Sequence, residues 1–278
     1  NGMDALREAY PGVRLVCNAG QRTPMELASL ALREATGDLI IVTEDHCVPR
    51  PDWVRRLVEA QGPGKGAVGG AVETEHSGDP LTWAFYLVDY YRYMRPFPEG
   101  PAQSLTVCNV SYRRDQLEAI APLWREFFHE TAINAALAER FGPLWLAPAA
   151  EVRTRRDVTF SDAIYERYAF GRLFGVTRNR FAGLLQRLVY AALSPALPPV
   201  ILWRMGRRAF RRDGARLQFI RALPALAAMS AAWAWGEWLG YVTNRMPGSL
   251  VVAPEIREAE RREGGAQSER PVHHPEAV

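Results

Sequence analysis

The stretch that decides the fold is "ATGDLIIVTEDHCVPRPDWV", residues 35–54. Leu39 to Val42 form a short apolar run, Glu44, Asp45 and His46 follow almost at once, and Pro49 and Pro51 come soon after. A run that is apolar on both faces reads as a strand covered by helices, as in the parallel sheet of an α/β protein. In open sheets of that kind, ligands bind beyond the carboxyl ends of the strands. A carboxylate and an imidazole two residues apart on an extended turn can share one divalent ion. Oxygen-rich ligands suit Mg2+ or Mn2+, and the imidazole tilts the choice towards Mn2+. By spacing alone, a solvated polar turn with Asp45 capping the next helix fits equally well.

Outward from this stretch the signals alternate. "VRLVC" (13–17) reads as a short buried strand. "TPMELASLALREATG" (23–37) reads as a helix with Thr23 as N-cap, Pro24 at the first helical position and Glu26 closing a capping box. Leu27, Leu30, Ala31 and Glu34 keep the helical spacing, and Gly37 supplies the stop. A helix from Asp52 to Ala60 follows, then a strand at "AVGGAVE" (67–73) and an aromatic helix, "PLTWAFYLVDYYRYM" (80–94). Next come a strand at "SLTVCNVSY" (104–112) and helices near 115–120 and 130–141, the last with Ile133, Leu137 and Phe141 on one face. "LWLAP" (144–148) and "AEVRTR" (150–155) read as closing strands. This rhythm predicts an α/β fold with a mostly parallel sheet and helices on both faces.

The totals narrow the function. With 278 residues, 48% of them hydrophobic, the chain can bury a sizeable core. A net charge of +3 gives no case for a nucleic-acid partner. Lys65 is the only lysine, and the bias to arginine points to a GC-rich genome. Cys17, Cys47 and Cys108 form no CxxC pair, which argues against a disulfide framework or structural zinc and suits a reducing compartment. The opening "NGMDALREAYPG" has no signal-peptide pattern and reads as the middle of a domain, so the beginning of that domain is expected to lie upstream.

Residues 35–54 resemble the segment of family 2 glycosyltransferases of the GT-A fold that carries their DxD metal motif. "VCNVSYRRDQLEAI" (107–120) and "FFHETAINAALAERFGPLWLAPAAEV" (127–152) are similar to two further stretches of that family, in the same order and spacing. Two departures stand out. Glu44-Asp45-His46 replaces Asp-x-Asp, with His at the second metal position, and Glu130-Thr131 replaces the Glu-Asp that carries the base.

The resemblance implies inverting transfer of a sugar from a nucleotide-diphosphate donor to a hydroxyl of a glycan or lipid-linked acceptor. It places Mn2+ or Mg2+ on Glu44 and His46, with Asp45 as a further candidate ligand, to neutralise the leaving diphosphate. It makes Glu130 the general base. By its place on the helix alone, Glu130 is equally a carboxylate favoured by the helix dipole. Asn109 is expected at the donor or acceptor site, and Arg167 and Arg172 near the diphosphate. The strand and carboxylate that hold the nucleotide base in the family would precede Asn1, so the donor nucleotide is not legible.

Beyond about residue 160 strand signals stop. Residues 181–203 and 219–243 are apolar enough to meet a membrane, the first broken by Pro195, Pro198 and Pro199, the second carrying Glu237. Between them Arg204, Arg207, Arg208, Arg211, Arg212 and Arg216 face a single Asp213, and Trp203, Trp233, Trp235, Trp238 and Tyr241 suit an interface. The expected organisation is a catalytic domain over 1–160, a helical membrane-associated region over 161–250 and a disordered tail over 251–278. The expected location is the cytoplasmic face of a bacterial inner membrane, in cell-envelope assembly, with the first apolar segment shallow and the second at the interface or facing protein. Two other readings fit: a nucleotidyltransferase of similar fold, and a catalytically silent membrane subunit of a polysaccharide assembly complex.

Overall fold

The computed structural model describes residues 2–16, 24–75, 78–156, 158–179 and 182–245. Thr23, Cys17 and the tail expected to be disordered lie outside the described residues. The strands are β1 (Leu39–Val42), β2 (Cys47–Pro49), β3 (Ala67–Thr74), β4 (Gly100–Ala102), β5 (Val110–Arg113) and β6 (Leu144–Thr154). The helices are α1 (Gly2–Ala9), α2 (Pro24–Glu34), α3 (Trp53–Ala60), α4 (Pro80–Tyr90), α5 (Arg114–Ala119), α6 (Glu130–Phe141), α7 (Phe160–Asn179), α8 (Leu184–Leu193), α9 (Leu197–Ala209) and α10 (Ala215–Thr243). Among the described residues the strands form one α/β sheet in the order β1-β5-β3-β6-β2, with β4 also on β6. The chain divides into two compact units: Asn1–Glu44, Pro51–Gly70 and Pro98–Ala150 make the first, and Asp45–Arg50, Ala71–Phe97 and Glu151–Val278 the second.

In the first unit, β1 pairs with β5 from Leu39↔Arg113 to Val42↔Val110, and β5 pairs with β3 through Ser111↔Val68 and Val110↔Gly69, both antiparallel. β4 pairs antiparallel with β6 as well. The alternation of strands and helices predicts parallel neighbours, and these ladders differ for a simple reason. β1 and β3 do run the same way, but β5 lies between them in the opposite direction. The apolar core joins Ile40, Val110, Tyr112, Leu117, Trp124, Ile133 and Leu137. Tyr112 donates to Asn134 Oδ1 at 3.0 Å, tying β5 to α6. Arg114 donates to the carbonyls of Ala35 and Gly37 at 2.6 and 2.7 Å, which satisfies backbone acceptors left over at the end of α2.

Three strand expectations change. Residues 13–16 form no strand; Val13 and Val16 are exposed and no ladder reaches them. Of the 104–112 stretch only the part from Val110 on lies in a strand, β5, which ends at Arg113, because Thr106 to Asn109 turns, with Asn109 N bonded to Thr106 O. The two closing strands are a single strand, β6.

In the second unit, β2 pairs antiparallel with β6, from Cys47↔Thr154 to Pro49↔Val152. Helix α10 packs against α7, α4, α9 and α8. The α7–α10 crossing is made by glycines. A Cβ at Gly171 would lie 2.2 Å from the carbonyl oxygen of Trp233, and one at Gly236 would lie 2.0 Å from that of Tyr168. The backbones themselves are in contact, as in small-residue helix pairs generally. Gly236→Ala is therefore expected to destabilise the protein by about 1–3 kcal/mol, read as a fall in Tm of several degrees. An unchanged Tm would mean that the two backbones are farther apart.

Glu237 of α10 is buried at this crossing. It accepts from Trp233 Nε1 at 2.8 Å and from Tyr241 Oη at 2.7 Å, and Arg178 of α7 donates to the same Tyr241 oxygen at 3.3 Å. The carboxylate faces protein, one of the two placements its charge allows. The arginine-rich segment is helical up to Ala209, so only residues 210–214 turn.

Candidate active site

The first unit brings Glu44, Cys108 and Glu130 together. Glu44 follows β1 directly, where the ladder with β5 ends. Cys108 Sγ donates to Glu44 Oε2 at 3.1 Å, and Thr43 Oγ1 donates to the Cys108 carbonyl at 2.9 Å, so the turn before β5 is fastened to the end of β1. Glu130 opens α6, whose N-cap His129 accepts from Ala132 N through Nδ1 at 3.3 Å. Burial pushes the Glu130 carboxyl up to about 8, and the negative charge of Glu44 pushes the same way, against a hydrogen bond from the Val107 backbone N–H. Its Oε1 is buried without a hydrogen-bond partner. A carboxyl that titrates near neutral pH beside a second carboxylate is suited to take a proton from a hydroxyl.

The same pair bears on a divalent cation. Glu44, a half-buried carboxylate just past a strand end, is an oxygen donor of the kind that Mn2+ or Mg2+ accepts.

Asn109 sits beside this group but is fully buried. Its Oδ1 accepts from Trp53 Nε1 at 2.8 Å, and its Nδ2 donates to the Ala150 carbonyl at 2.8 Å. Both ends of the amide thus tie α3 and β6 to the start of β5.

The chain passes into the second unit between Glu44 and Asp45. There the Asp45 side chain is fully exposed, while that of His46 is 15% exposed. His46 Nδ1 lies 3.4 Å from Asp45 Oδ1, and Nε2 lies 3.2 Å from the Tyr90 hydroxyl. Arg167 is buried, donates to Asp89 at 2.5 Å and to Glu166 at 2.9 Å, and stacks near Phe85 and Phe170. Burial draws its pKa down, but the two carboxylates outweigh this and leave it above the usual arginine value. Arg172 donates to Tyr168 Oη and to the Arg245 carbonyl, both at 2.9 Å.

Sequence reasoning took Cys108 only as a sign of compartment and missed its bond to Glu44. It also missed Tyr90 as the neighbour of His46 and Asp89 as that of Arg167. These partners lie 64, 44 and 78 residues apart, and no local pattern marks them.

Comparison with known proteins gives one family. The model described as glycosyl transferase family 2 matches residues 3–121. No curated protein matches. Among solved structures, the chain is similar to a mannosyltransferase from Pyrobaculum calidifontis in complex with GDP-Man and Mn2+, at 15% identity and a TM-score of 0.45. That match covers 96% of this chain and spans 66% of the mannosyltransferase chain. The segment that holds β1, Glu44 and the turn at Cys108 lies wholly inside the stretch, residues 3–121, that is similar to glycosyl transferase family 2.

Proposed function

We propose that the protein is an inverting glycosyltransferase, with residues 1–160 as its catalytic part. It moves a sugar from a nucleotide-diphosphate donor to a hydroxyl of a glycan or lipid-linked acceptor. The observation that carries this reading is Glu130: a carboxyl shifted to about 8 by burial and by Glu44, at the start of a helix, with one oxygen unbonded. Glu130 would take the hydroxyl proton as the acceptor oxygen attacks the anomeric carbon, and the bond from that carbon to the diphosphate oxygen would break on the opposite face.

Glu44 and His46, with Asp45, are the residues assigned to Mn2+ or Mg2+, which when bound would offset the charge of the leaving diphosphate. For His46 this requires one ring nitrogen to give up its present neighbour, Asp45 or Tyr90. Cys108 orients the Glu44 carboxylate. Asn109, Arg167 and Arg172 act in this proposal as supports, since their polar groups already hold neighbouring segments in place.

The proposed working location is the cytoplasmic face of the membrane, where nucleotide sugars are made. Helical stretches 184–209 and 215–243 are long and apolar enough to cross a membrane by length and composition. The test is turnover of nucleotide sugars by the chain with and without Mn2+, followed by release of the nucleoside diphosphate. Metal-stimulated release from at least one UDP, GDP or dTDP sugar is expected. No release from any of them, with the chain folded, would favour a silent subunit instead.

A further inference from the structure

The second unit turns apolar side chains outward over several helices. Leu184, Leu185 and Leu188 of α8 are 72%, 75% and 59% exposed, Trp203 of α9 is 58% exposed, and Ile220 and Trp235 of α10 are 47% and 57% exposed. α8 and α9 both pack on α10, so these side chains belong to one bundle. Single exposed leucines are ordinary on a protein surface, but a set of this size is not.

The charges beside the set have one sign. Between residues 204 and 221, Asp213 is the only acid. Arg208 and Arg212 turn inward, the first to the Met94 carbonyl and the second to the buried Glu73. Arg204, Arg207, Arg211 and Arg216 remain exposed. Arg207 lies 4.7 Å over the Trp203 ring and Arg216 lies 5.0 Å over that of Phe210. Aromatic rings and guanidinium groups side by side, on a bundle that also exposes leucines, supply the chemistry that the acyl, carbonyl and phosphate layers of a lipid surface take.

The way α10 packs decides how that surface is met. One side of α10 is in backbone contact with α7, which carries Asp162, Glu166, Arg167, Arg172 and Arg178. To cross a bilayer α10 would have to leave α7 or bring those charges into hydrocarbon. The candidate span at 184–209 is likewise two helices with a short 3-10 turn at Ser194–Ala196 between them.

We propose that the second unit docks on an anionic lipid surface as a monotopic face. The leucines of α8 with Trp203, Ile220 and Trp235 enter the interface, Arg204, Arg207, Arg211 and Arg216 bind headgroup phosphates, and no helix crosses. This deepens the location proposed above and rests on that reading only for the site of action, because the binding needs no sugar donor.

The purified full chain would be sedimented with vesicles of phosphatidylcholine alone and of phosphatidylcholine mixed with phosphatidylglycerol. Binding to the anionic vesicles should exceed that to the neutral ones by about tenfold or more and fall at about 0.5 M salt. Alkaline carbonate should release it. Leu184→Ser with Leu185→Ser and Leu188→Ser, and separately Arg204→Gln with Arg207→Gln, Arg211→Gln and Arg216→Gln, should each weaken binding by about tenfold or more, with Tm unchanged.

Four results would overturn the proposal. They are equal binding to both vesicle types, resistance to carbonate, binding by neither vesicle, and a dimer that forms without lipid and is lost in the leucine variant. Vesicle binding without donor turnover would uphold this inference while sinking the transferase reading, and turnover without vesicle binding would do the reverse.

Discussion

Glu130→Gln is expected to lower turnover by roughly 10²-fold or more while leaving donor binding in place. The amide keeps the shape of the side chain at the start of α6 and removes its basicity. A second readout separates a base from a structural carboxylate. The folded protein holds the Glu130 proton up to about pH 8, above the ordinary value of 4.5, so between those two values folding becomes progressively less favourable as pH rises. Glutamine has no such slope. From pH 4.5 to pH 8 the stability difference should therefore shift in favour of the variant, by up to several kcal/mol at about 1.4 kcal/mol per pKa unit. Lost turnover together with a Tm that falls less steeply with rising pH than the parent's is what a buried catalytic base leaves behind. Near-normal turnover would move the base elsewhere, and the obvious substitute is poorly placed. Asp115 is exposed, and the Arg113 guanidinium holds its carboxyl below the usual range. It also follows β5 at the end opposite to Glu44, since Arg113 pairs with Leu39 and Val110 with Val42.

The second large effect concerns the cation. Glu44→Gln and His46→Ala should each weaken Mn2+-dependent donor binding by about 10–100-fold, measured by calorimetry on the full chain. The same titration carries a pH signature. The charge of Glu44 is the second cause of the raised Glu130 value, so a cation on Glu44 should bring the alkaline rise of turnover to lower pH. Unchanged affinity and unchanged metal dependence in both variants would end the assignment of Glu44 and His46 to the metal.

How much of this was legible in the sequence follows the range of the forces involved. β1, α2, α3, α5 and α6 were readable because apolar spacing, prolines and glycines act within a few residues. Strand direction was not, since β5 inserts between β1 and β3 only through contacts some 40 to 70 residues apart in the chain. The 13–17 stretch failed for a related reason: its valines have the composition of a strand, but no partner ladder meets the described residues. At the site, Glu44 and Glu130 could be nominated from motif likeness. What the motif could not show is that Glu44 is held by a cysteine thiol, that His46 rests against Tyr90, or that both ends of the Asn109 amide are taken up by Trp53 and Ala150. Those are tertiary bonds, and only packing reveals them.

The burial of Glu237 also bears on how the chain is made. α7 leaves the ribosome before α10, so its glycine face is already available when the long apolar helix emerges. An insertion machine that samples α10 alone meets a segment of suitable length with a carboxylate near its end. Entry into lipid costs about 3 kcal/mol or less for such a group, depending on depth. Docking on α7 instead supplies Glu237 with Trp233 and Tyr241 as donors at 2.8 and 2.7 Å and brings Arg178 to the same cluster. Burial against α7 thus gives the Glu237 carboxylate the donors that hydrocarbon lacks.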